Sequence, residues 1–251
     1  MRYMGGKHRQ SKAILAMLSK HPKGTYYAEP FCGALGSAEK LVPHFQNGLL
    51  SDLSLPLVNM WLAMRAGWEP PDHVSEDVYS QYAAKRHSPN PNDPMTAWCG
   101  YAMSFGGKWF GGLARQGAND PEGTKRSQLN QKRAALRKIK AVHQHVRIMH
   151  MDYRDAIRCV PDGAVVYLDP PYADRTRAHH TAKGFDHATF WQDARDLAKR
   201  CHVYVSEFQA PAGWEPVHTW GDTVVRHGAE KNENAPTNEQ FFEWGGRHER
   251  R

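Results

Sequence analysis

Short apolar runs that end in a polar or acidic residue recur along the chain, and amphipathic stretches of helical period separate most of them. A short apolar run bounded by turn residues is typical of a buried strand, whereas apolar residues three and four positions apart indicate a helix. We therefore predict strands at residues 25–29, 48–52, 146–151, 164–168 and 203–206. We predict helices at residues 37–42, 53–66, 154–159 and 187–200.

The alternation of strands and helices predicts an α/β fold with a mostly parallel, doubly wound sheet. Two later segments, 223–226 and 240–244, are expected to close it as an antiparallel hairpin. Such sheets bind ligands beyond the carboxyl ends of their parallel strands. The acidic residues that follow predicted strands would meet at that edge; they are Glu29, Asp52, Asp152 and Asp169.

Residues 61–145 differ in composition from their flanks, which predicts an inserted subdomain between the two parts of a main domain, 1–60 and 146–251. Residues 104–112 contain too many glycines for regular structure. Residues 125–140 are predicted to form a helix with seven lysine and arginine side chains and no acid.

Composition narrows the class of protein. The 251 residues are 40% hydrophobic and 24% charged, and no apolar run approaches the length that crosses a membrane. The first residues lack the apolar region of a secretion signal, so we expect a cytoplasmic protein. The four cysteines lack metal-ligand spacing, and the histidines are interpreted as surface or core side chains, so no metal is expected. A net charge of +7 favours a polyanionic partner.

The segment after the first strand contains a candidate binding site. Gly33 and Gly36 permit a tight turn and a close approach of the backbone to a ligand. Asp52 follows Gly33 by nineteen residues, the spacing at which an acid holds ribose hydroxyls, although an ordinary turn with a surface aspartate explains the pair equally well. Because an acid at Glu29 would repel a pyrophosphate, a cationic nucleoside such as S-adenosylmethionine is the better ligand.

Residues 168–172, Leu-Asp-Pro-Pro-Tyr, form the most specific motif. Consecutive prolines fix φ and remove N–H donors, but their carbonyl oxygens still accept hydrogen bonds. The loop thus offers the carboxylate of Asp169 and the carbonyl of Pro170 beside the ring of Tyr172. This set suits a planar base with an exocyclic amino group, and a stiffened turn is the alternative. The Asp152-Tyr153 pair would frame an adenine or simply begin a helix.

Asp169-Pro170-Pro171-Tyr172 resembles the D-P-P-Y signature of DNA methyltransferases that act on amino groups. Residues 2–7, Arg-Tyr-Met-Gly-Gly-Lys, are similar to the N-terminal motif of the Dam-type DNA adenine methyltransferases (α group, D12-like), and residues 29–33 to their cofactor motif. The motif order and the chain length resemble the compact, phage-type members. One departure is that the glycines at 33 and 36 are three apart, where many members have alternate glycines.

The resemblance implies a Rossmann-like class I methyltransferase fold with a helical recognition subdomain, S-adenosylmethionine as cofactor and duplex DNA as partner. The implied reaction moves a methyl group to the N6 amino group of an adenine extruded into the pocket. The implied catalytic residues are Asp169, Pro170 and Tyr172. The implied cofactor contacts are Tyr3, Lys7, Glu29, Phe31, Gly33, Asp52, Asp152, Tyr153 and Asp169.

DNA recognition is assigned to the middle block. The 104–112 loop would approach a groove, with Lys108 as a donor and Trp109 or Phe110 as a wedge, unless its aromatic rings fill the subdomain core. Arg115 is a candidate for base contacts. Lys132 and Arg133 are candidates for phosphate contacts, and a solvated charged face is the alternative for their helix.

Other functions stay open at this point: methylation of cytosine N4, methylation of an RNA base, and binding of S-adenosylmethionine or DNA without turnover. An aspartate rather than a serine at position 169 favours adenine within the family that the chain resembles. The intact D-P-P-Y stretch opposes a loss of turnover. Enzymes of this kind can act as monomers, so no dimer is assumed.

Overall fold

The computed structural model describes residues 1–117, 120–172, 184–220 and 238–247. The helices are α1 (Ser11–Leu18), α2 (Ala38–Phe45), α3 (Leu55–Arg65), α4 (Glu76–Ala84), α5 (Pro94–Ala97), α6 (Pro121–Ala141), α7 (Tyr153–Arg158) and α8 (His187–Ala198). The strands are β1 (Tyr27–Glu29), β2 (Gly48–Asp52), β3 (Val146–His150), β4 (Val165–Leu168), β5 (His202–Glu207), β6 (Trp214–Thr219) and β7 (Gln240–Trp244). No helix among these residues is long and apolar enough to span a membrane.

The described strands form one sheet in the order β3-β2-β1-β4-β5-β7-β6. Strands β1 to β5 pair in parallel, and β7 runs antiparallel to both β5 and β6. The chain therefore reverses its direction of winding between β1 and β4, which creates a crevice at the carboxyl edge of these two strands. The predicted Rossmann-like, mostly parallel fold with a C-terminal antiparallel hairpin is confirmed.

One strand of that hairpin differs from the prediction. The partner of β7 is β6, at Trp214–Thr219, whereas the predicted segment 223–226 lies outside the described residues. Strand β6 is mostly exposed and contains Pro216, so it lacks the alternating pattern of a buried strand. A proline is tolerated there because, among the strands that the structure describes, β6 lies at the edge of the sheet and pairs on one side alone.

Two apolar layers cover the sheet, and alternate residues of each strand enter opposite layers. Tyr27 and Tyr167 belong to the first layer, with Trp61 of α3, whereas Ala28 and Val166 belong to the second. Helix α8 closes the second layer. Since β4 is buried along its whole length, its four apolar residues form a continuous run rather than an alternation.

The middle block packs on the first of these layers. Trp98, Tyr101, Ala135 and Ile139 belong to the same apolar cluster as Tyr27 and the other first-layer residues of the sheet. The division at residues 60 and 145 stays a prediction.

Three helices of this block differ from the sequence prediction, which contained neither α4 nor α5 and placed the start of α6 too late. Helix α6 begins four residues early, at Pro121, because the side chain of Asp120 accepts a hydrogen bond from the Gly123 N–H at 2.7 Å. Helix α4, in the proline-rich part, was not predicted; Ser75 caps it.

Gly48 tests the close pairing of β1 and β2. A Cβ at this position would lie 2.0 Å from the carbonyl oxygen of Tyr27, so Gly48→Ala must shift backbone. We expect a loss of about 3 kcal/mol in the free energy of unfolding, measured with urea. Gly117→Ala is the matched control, because the nearest atom of the described residues lies 3.9 Å from its Cβ, and it should change stability by less than about 0.5 kcal/mol. Equal stabilities of the two variants would contradict the close pairing.

Candidate active site

The carboxyl edge of the parallel strands gathers the predicted acids. Glu29 and Asp52 end β1 and β2, Asp169 follows β4, and Asp152 follows β3 after one intervening residue. The antiparallel strand β7 begins at this same edge, because Gln240 pairs with Glu207 at the end of β5. Glu239, the residue before β7, is thereby brought to the site.

Lys7 is the centre of a buried polar cluster. Its Nζ lies 2.7 Å from Oδ1 of Asp169 and 3.4 Å from Oε1 of Glu239, and it also donates to the hydroxyl of Tyr172. That hydroxyl lies 3.0 Å from Asp169 Oδ1 and 2.9 Å from Glu239 Oε1. The side chains of Lys7, Asp169 and Glu239 are 5%, 15% and 4% exposed. The structure thus joins three predicted residues to one, Glu239, that the sequence did not indicate.

The charged groups of this cluster shift the pKa values of one another. Burial alone would lower the pKa of Lys7, but the carboxylates of Asp169 and Glu239 outweigh burial and raise it. Burial raises the pKa of Asp169 to about 6; Lys7 opposes this rise and Glu239 adds to it. At neutral pH the ammonium of Lys7 therefore faces an ionised Asp169.

Glycines seat the N-terminal segment against the site. A Cβ at Gly36 would lie 3.0 Å from the backbone nitrogen of Lys7, and a Cβ at Gly33 would lie 3.0 Å from the ring of Tyr3. A Cβ at Gly107 would lie 2.6 Å from the Cα of Tyr3. The three-residue spacing of Gly33 and Gly36 therefore fits contact with residues 3–8, and Gly33 meets a tyrosine ring on this face.

Asp52 holds the glycine turn. Its two carboxylate oxygens accept hydrogen bonds from the backbone N–H groups of Gly33 and Ser54, each at 2.9 Å. Burial raises the pKa of Asp52, and these two backbone hydrogen bonds oppose the rise. Burial raises the pKa of Tyr3, and the charges of Asp52 and Asp169 add to this rise, so the ring lies within electrostatic range of both acids.

Glu29 requires a correction to the sequence argument. Its side chain is 1% exposed and accepts hydrogen bonds from the hydroxyls of Tyr27, at 2.8 Å, and Ser37. Burial raises the pKa of Glu29 to about 8, while these two hydroxyls oppose the rise. The group is therefore largely protonated at neutral pH and does not present the charge that the argument against a pyrophosphate assumed.

The third strand end combines a helix cap with an aromatic platform. Asp152 accepts a hydrogen bond from the Arg154 N–H at 2.9 Å and so caps α7. This contact agrees with the alternative that the Asp152-Tyr153 pair begins a helix. The ring of Tyr153 stacks on Phe31 at 5.3 Å, and its hydroxyl donates to Asp193. Phe31 is only half-buried, so one part of the platform remains accessible.

The most exposed aromatic ring of the glycine-rich loop is neither of the two that were considered as a wedge. Trp109 packs on Tyr101, with ring centroids 4.8 Å apart, and a Cβ at Gly100 would lie 2.5 Å from its ring. This contact favours the core-filling interpretation of Trp109. The exposed ring of the loop is Phe105, which is 55% exposed, and Lys108 is exposed beside it.

Three of the seven basic side chains in residues 125–140 pair with acids in the structure, namely Lys125, Lys132 and Arg137. Lys132 lies 2.7 Å from Asp72 and 3.4 Å from Glu69, whereas Arg133 is exposed. Arg115, outside the helix, lies 2.7 Å from Glu76. The absence of acids from residues 125–140 was therefore misleading, because other elements supply them. Of the two predicted phosphate contacts, Arg133 is the more accessible.

The donor set at the carboxyl edge suits a cationic nucleoside. The carboxylates of Asp52 and Asp169 and the ring of Phe31 are each only partly buried, so they offer negative charge and a stacking surface together. Among the residues that the structure describes, no group of three or more histidine, cysteine or acidic side chains is arranged to hold a metal ion.

Comparison with known proteins identifies the family. The family model described as D12 class N6 adenine-specific DNA methyltransferase matches residues 3–92 and 114–216, most of the chain. The chain therefore belongs to this family, and it is an S-adenosylmethionine-dependent methyltransferase. The gap in the match contains the 104–112 loop. No curated protein matches the chain.

Solved structures that resemble the chain do so remotely. TrmN from Thermus thermophilus is 13% identical, with a TM-score of 0.41, over 94% of this chain and 48% of its own, so this chain spans about half its length. The rRNA methyltransferase aviRa from Streptomyces viridochromogenes is 14% identical, with a TM-score of 0.42, over 95% of this chain and 85% of its own. An rRNA methylase from Streptococcus thermophilus is 6% identical, with a TM-score of 0.38, over 92% of this chain and 94% of its own.

Lys7→Met tests the buried charge cluster. Without the ammonium, two buried carboxylates lose their counter-charge. We therefore expect the free energy of unfolding to fall by about 3 kcal/mol at pH 7. Lys7 holds down the pKa of Asp169, which burial already raises to about 6, so in the variant this pKa rises further and the variant loses stability relative to the wild type as the pH rises through this range. The gap between wild type and variant should therefore widen from pH 5 to pH 8 in urea unfolding.

Lys20→Met is the control for this prediction. Lys20 also pairs with a carboxylate, Glu243 at 2.9 Å, but its side chain is 54% exposed. Its replacement should cost less than about 1 kcal/mol. If Lys7→Met lowered the free energy of unfolding by as little as this, or by an amount independent of pH, the account of the cluster would be contradicted.

Proposed function

We propose that this chain transfers the methyl group of S-adenosylmethionine to the N6 amino group of an adenine that has been extruded from duplex DNA. The observation that carries the proposal is the cluster at the carboxyl edge of the sheet, in which Lys7 contacts both Asp169 and Tyr172 of the D-P-P-Y loop. Family membership supports the reaction class. The amino nitrogen of adenine lies inside the duplex, so the base must leave the stack to reach this loop.

Recognition of the amino group follows from the hydrogen-bonding capacity of the loop. The carboxylate of Asp169 and the carbonyl of Pro170 are hydrogen-bond acceptors, and they accept the two N6 hydrogens. Neither proline of the loop carries an N–H that would compete as a donor. Both acceptors draw the nitrogen lone pair out of conjugation with the ring. The ring of Tyr172, which meets Phe208 edge-on at 5.2 Å, stacks on the base.

Cofactor binding is assigned to the same edge. Asp52 is the proposed partner of the ribose hydroxyls, and the Phe31–Tyr153 platform is the proposed contact of the cofactor adenine. When bound, S-adenosylmethionine supplies an electrophilic methyl group. The chain contributes position and charge: Asp169 is kept ionised above a pH of about 6, and Lys7 holds its carboxylate in place.

DNA binding is assigned to the loop beside this edge. Gly107 brings the loop into contact with Tyr3, which places its exposed side chains close to the N-terminal part of the site. Phe105 is the proposed aromatic contact with the DNA, and Lys108 with Arg133 the proposed phosphate contacts. Lys132 contributes less, because Asp72 and Glu69 already pair with it.

Asp169→Ala tests the catalytic assignment. Loss of the acceptor should lower methyl transfer to duplex DNA by at least about 100-fold while the protein stays folded. The assay measures transfer of a tritiated methyl group to DNA, with circular dichroism as the test of folding. Asp162→Ala is the control, because its side chain is 81% exposed and should leave the rate unchanged. Parental transfer rates from a folded Asp169→Ala protein would refute the mechanism.

Two lysine variants test the DNA contacts. Lys108→Ala should weaken DNA binding and reduce the slope of log affinity against log salt concentration by about one, because one phosphate contact is lost. Lys132→Ala should change this slope much less, since its charge is already paired. Fluorescence anisotropy with a labelled duplex at several salt concentrations measures both. A larger change of slope for Lys132→Ala would reverse the assignment.

A further inference from the structure

Glu239 is the member of the buried cluster that has no part in the mechanism so far. It precedes β7, and its Oε1 lies 2.9 Å from the hydroxyl of Tyr172 and 3.4 Å from Nζ of Lys7. Its side chain is 4% exposed. A buried carboxylate is costly unless charges or donors compensate it, and these two groups of the candidate site do so.

The hydrogen-bond inventory of the cluster shows competition for one proton. Tyr172 carries a single O–H, yet two carboxylate oxygens lie within donating distance, Asp169 Oδ1 at 3.0 Å and Glu239 Oε1 at 2.9 Å. The hydroxyl can donate to only one of them at a time. Lys7 likewise reaches both carboxylates.

Binding of an amino group changes the demand on Asp169. Its Oδ1 already accepts from Lys7 at 2.7 Å and faces the Tyr172 hydroxyl. When Asp169 accepts an amino hydrogen of the base, Lys7 or Tyr172 can lose its hydrogen bond to Asp169. That donor then needs another acceptor, because an unpaired buried donor is costly. Glu239 is that acceptor, and it already lies within reach of both donors.

We propose that Glu239 is a positioning residue for methyl transfer, which receives the Tyr172 hydroxyl and the Lys7 ammonium when Asp169 turns to the amino group of the base. This inference rests on the proposed function of the site. The two donors stay paired throughout, so the ring of Tyr172 and the ammonium of Lys7 keep their places while the carboxylate changes partners.

The charge of Glu239 also acts on Asp169. The titratable groups that face Asp169 come from several segments of the chain. After burial, the negative charge of Glu239, which also contacts Lys7, raises the pKa of Asp169. The neighbours in contact are Lys7 and Tyr172, and those coupled to it electrostatically are Glu29, Tyr3, Tyr167 and Glu239. Removing the charge of Glu239 should therefore let Asp169 ionise at lower pH.

Glu239→Gln separates positioning from mere structural support. The amide keeps the shape and one acceptor oxygen but not the charge. We expect kcat for methyl transfer to fall by about 10- to 100-fold, because the donors of the cluster are misplaced. We also expect the acid limb of the pH profile of kcat/KM to move to lower pH. A side chain that only supported the fold would lower the rate without moving that limb.

A second measurement does not require methyl transfer, so it tests the role of Glu239 independently of the reaction. The carboxyl carbon of Asp169 can be titrated by NMR in protein labelled at aspartate, with its signal assigned from its loss in Asp169→Asn. The pKa of Asp169 should be lower in Glu239→Gln than in the wild type. Should the wild type transfer no methyl group to DNA, the proposed function fails, but this titration still decides whether Glu239 acts on Asp169.

Glu243→Gln is the matched control. Glu243 lies on β7 and also pairs with a tyrosine hydroxyl, Tyr204 at 2.8 Å, and with a lysine, Lys20 at 2.9 Å. It faces the first residues of β5 and not the site, so its replacement should move neither the acid limb nor the titration of Asp169. An unmoved acid limb in folded Glu239→Gln, or an unchanged pKa of Asp169, would overturn the proposal.

Discussion

The burial of Lys7 is the constraint on which the rest of the site depends. An ammonium that is almost wholly excluded from water is tolerated only where carboxylates and hydrogen-bond acceptors surround it. Here those groups come from the loop after β4 and from the residue before β7, and glycines at positions 33, 36 and 107 let the N-terminal segment reach them. One ion cluster thus ties the N-terminal segment to the D-P-P-Y loop and to strand β7.

Much of the fold could be predicted from the sequence, because the parallel strands are buried on both faces and form clear apolar runs. Strand β2 was predicted to the residue, and β4 to within one. Strand β6 was missed because it is an exposed edge strand that contains Pro216, and edge strands show little hydrophobic pattern. Helix α6 was placed four residues late because its cap and first turn, at residues 120–124, carry little apolar signal.

The candidate site was predictable where its residues lie next to one another in the sequence, as in the D-P-P-Y loop. Glu239 was not, since it is 67 residues from Tyr172 and reaches the site only because β7 runs antiparallel to its neighbours. Glu29 and Trp109 show how little residue type alone indicates, and their predicted contacts with ligands stay predictions. Acid and aromatic side chains suggested contacts with ligands, but hydroxyl partners and ring packing hold both within the fold.

Nucleoside mass spectrometry of methyl-free duplex DNA, incubated with the wild-type protein and S-adenosylmethionine, tests the central claim most directly. The account predicts N6-methyladenine, since the acceptors of the D-P-P-Y loop are assigned to the amino group of adenine. N4-methylcytosine alone would keep the pocket but contradict that assignment. No methylated base, with cofactor binding confirmed in the same sample, would contradict the claim that this cluster methylates DNA.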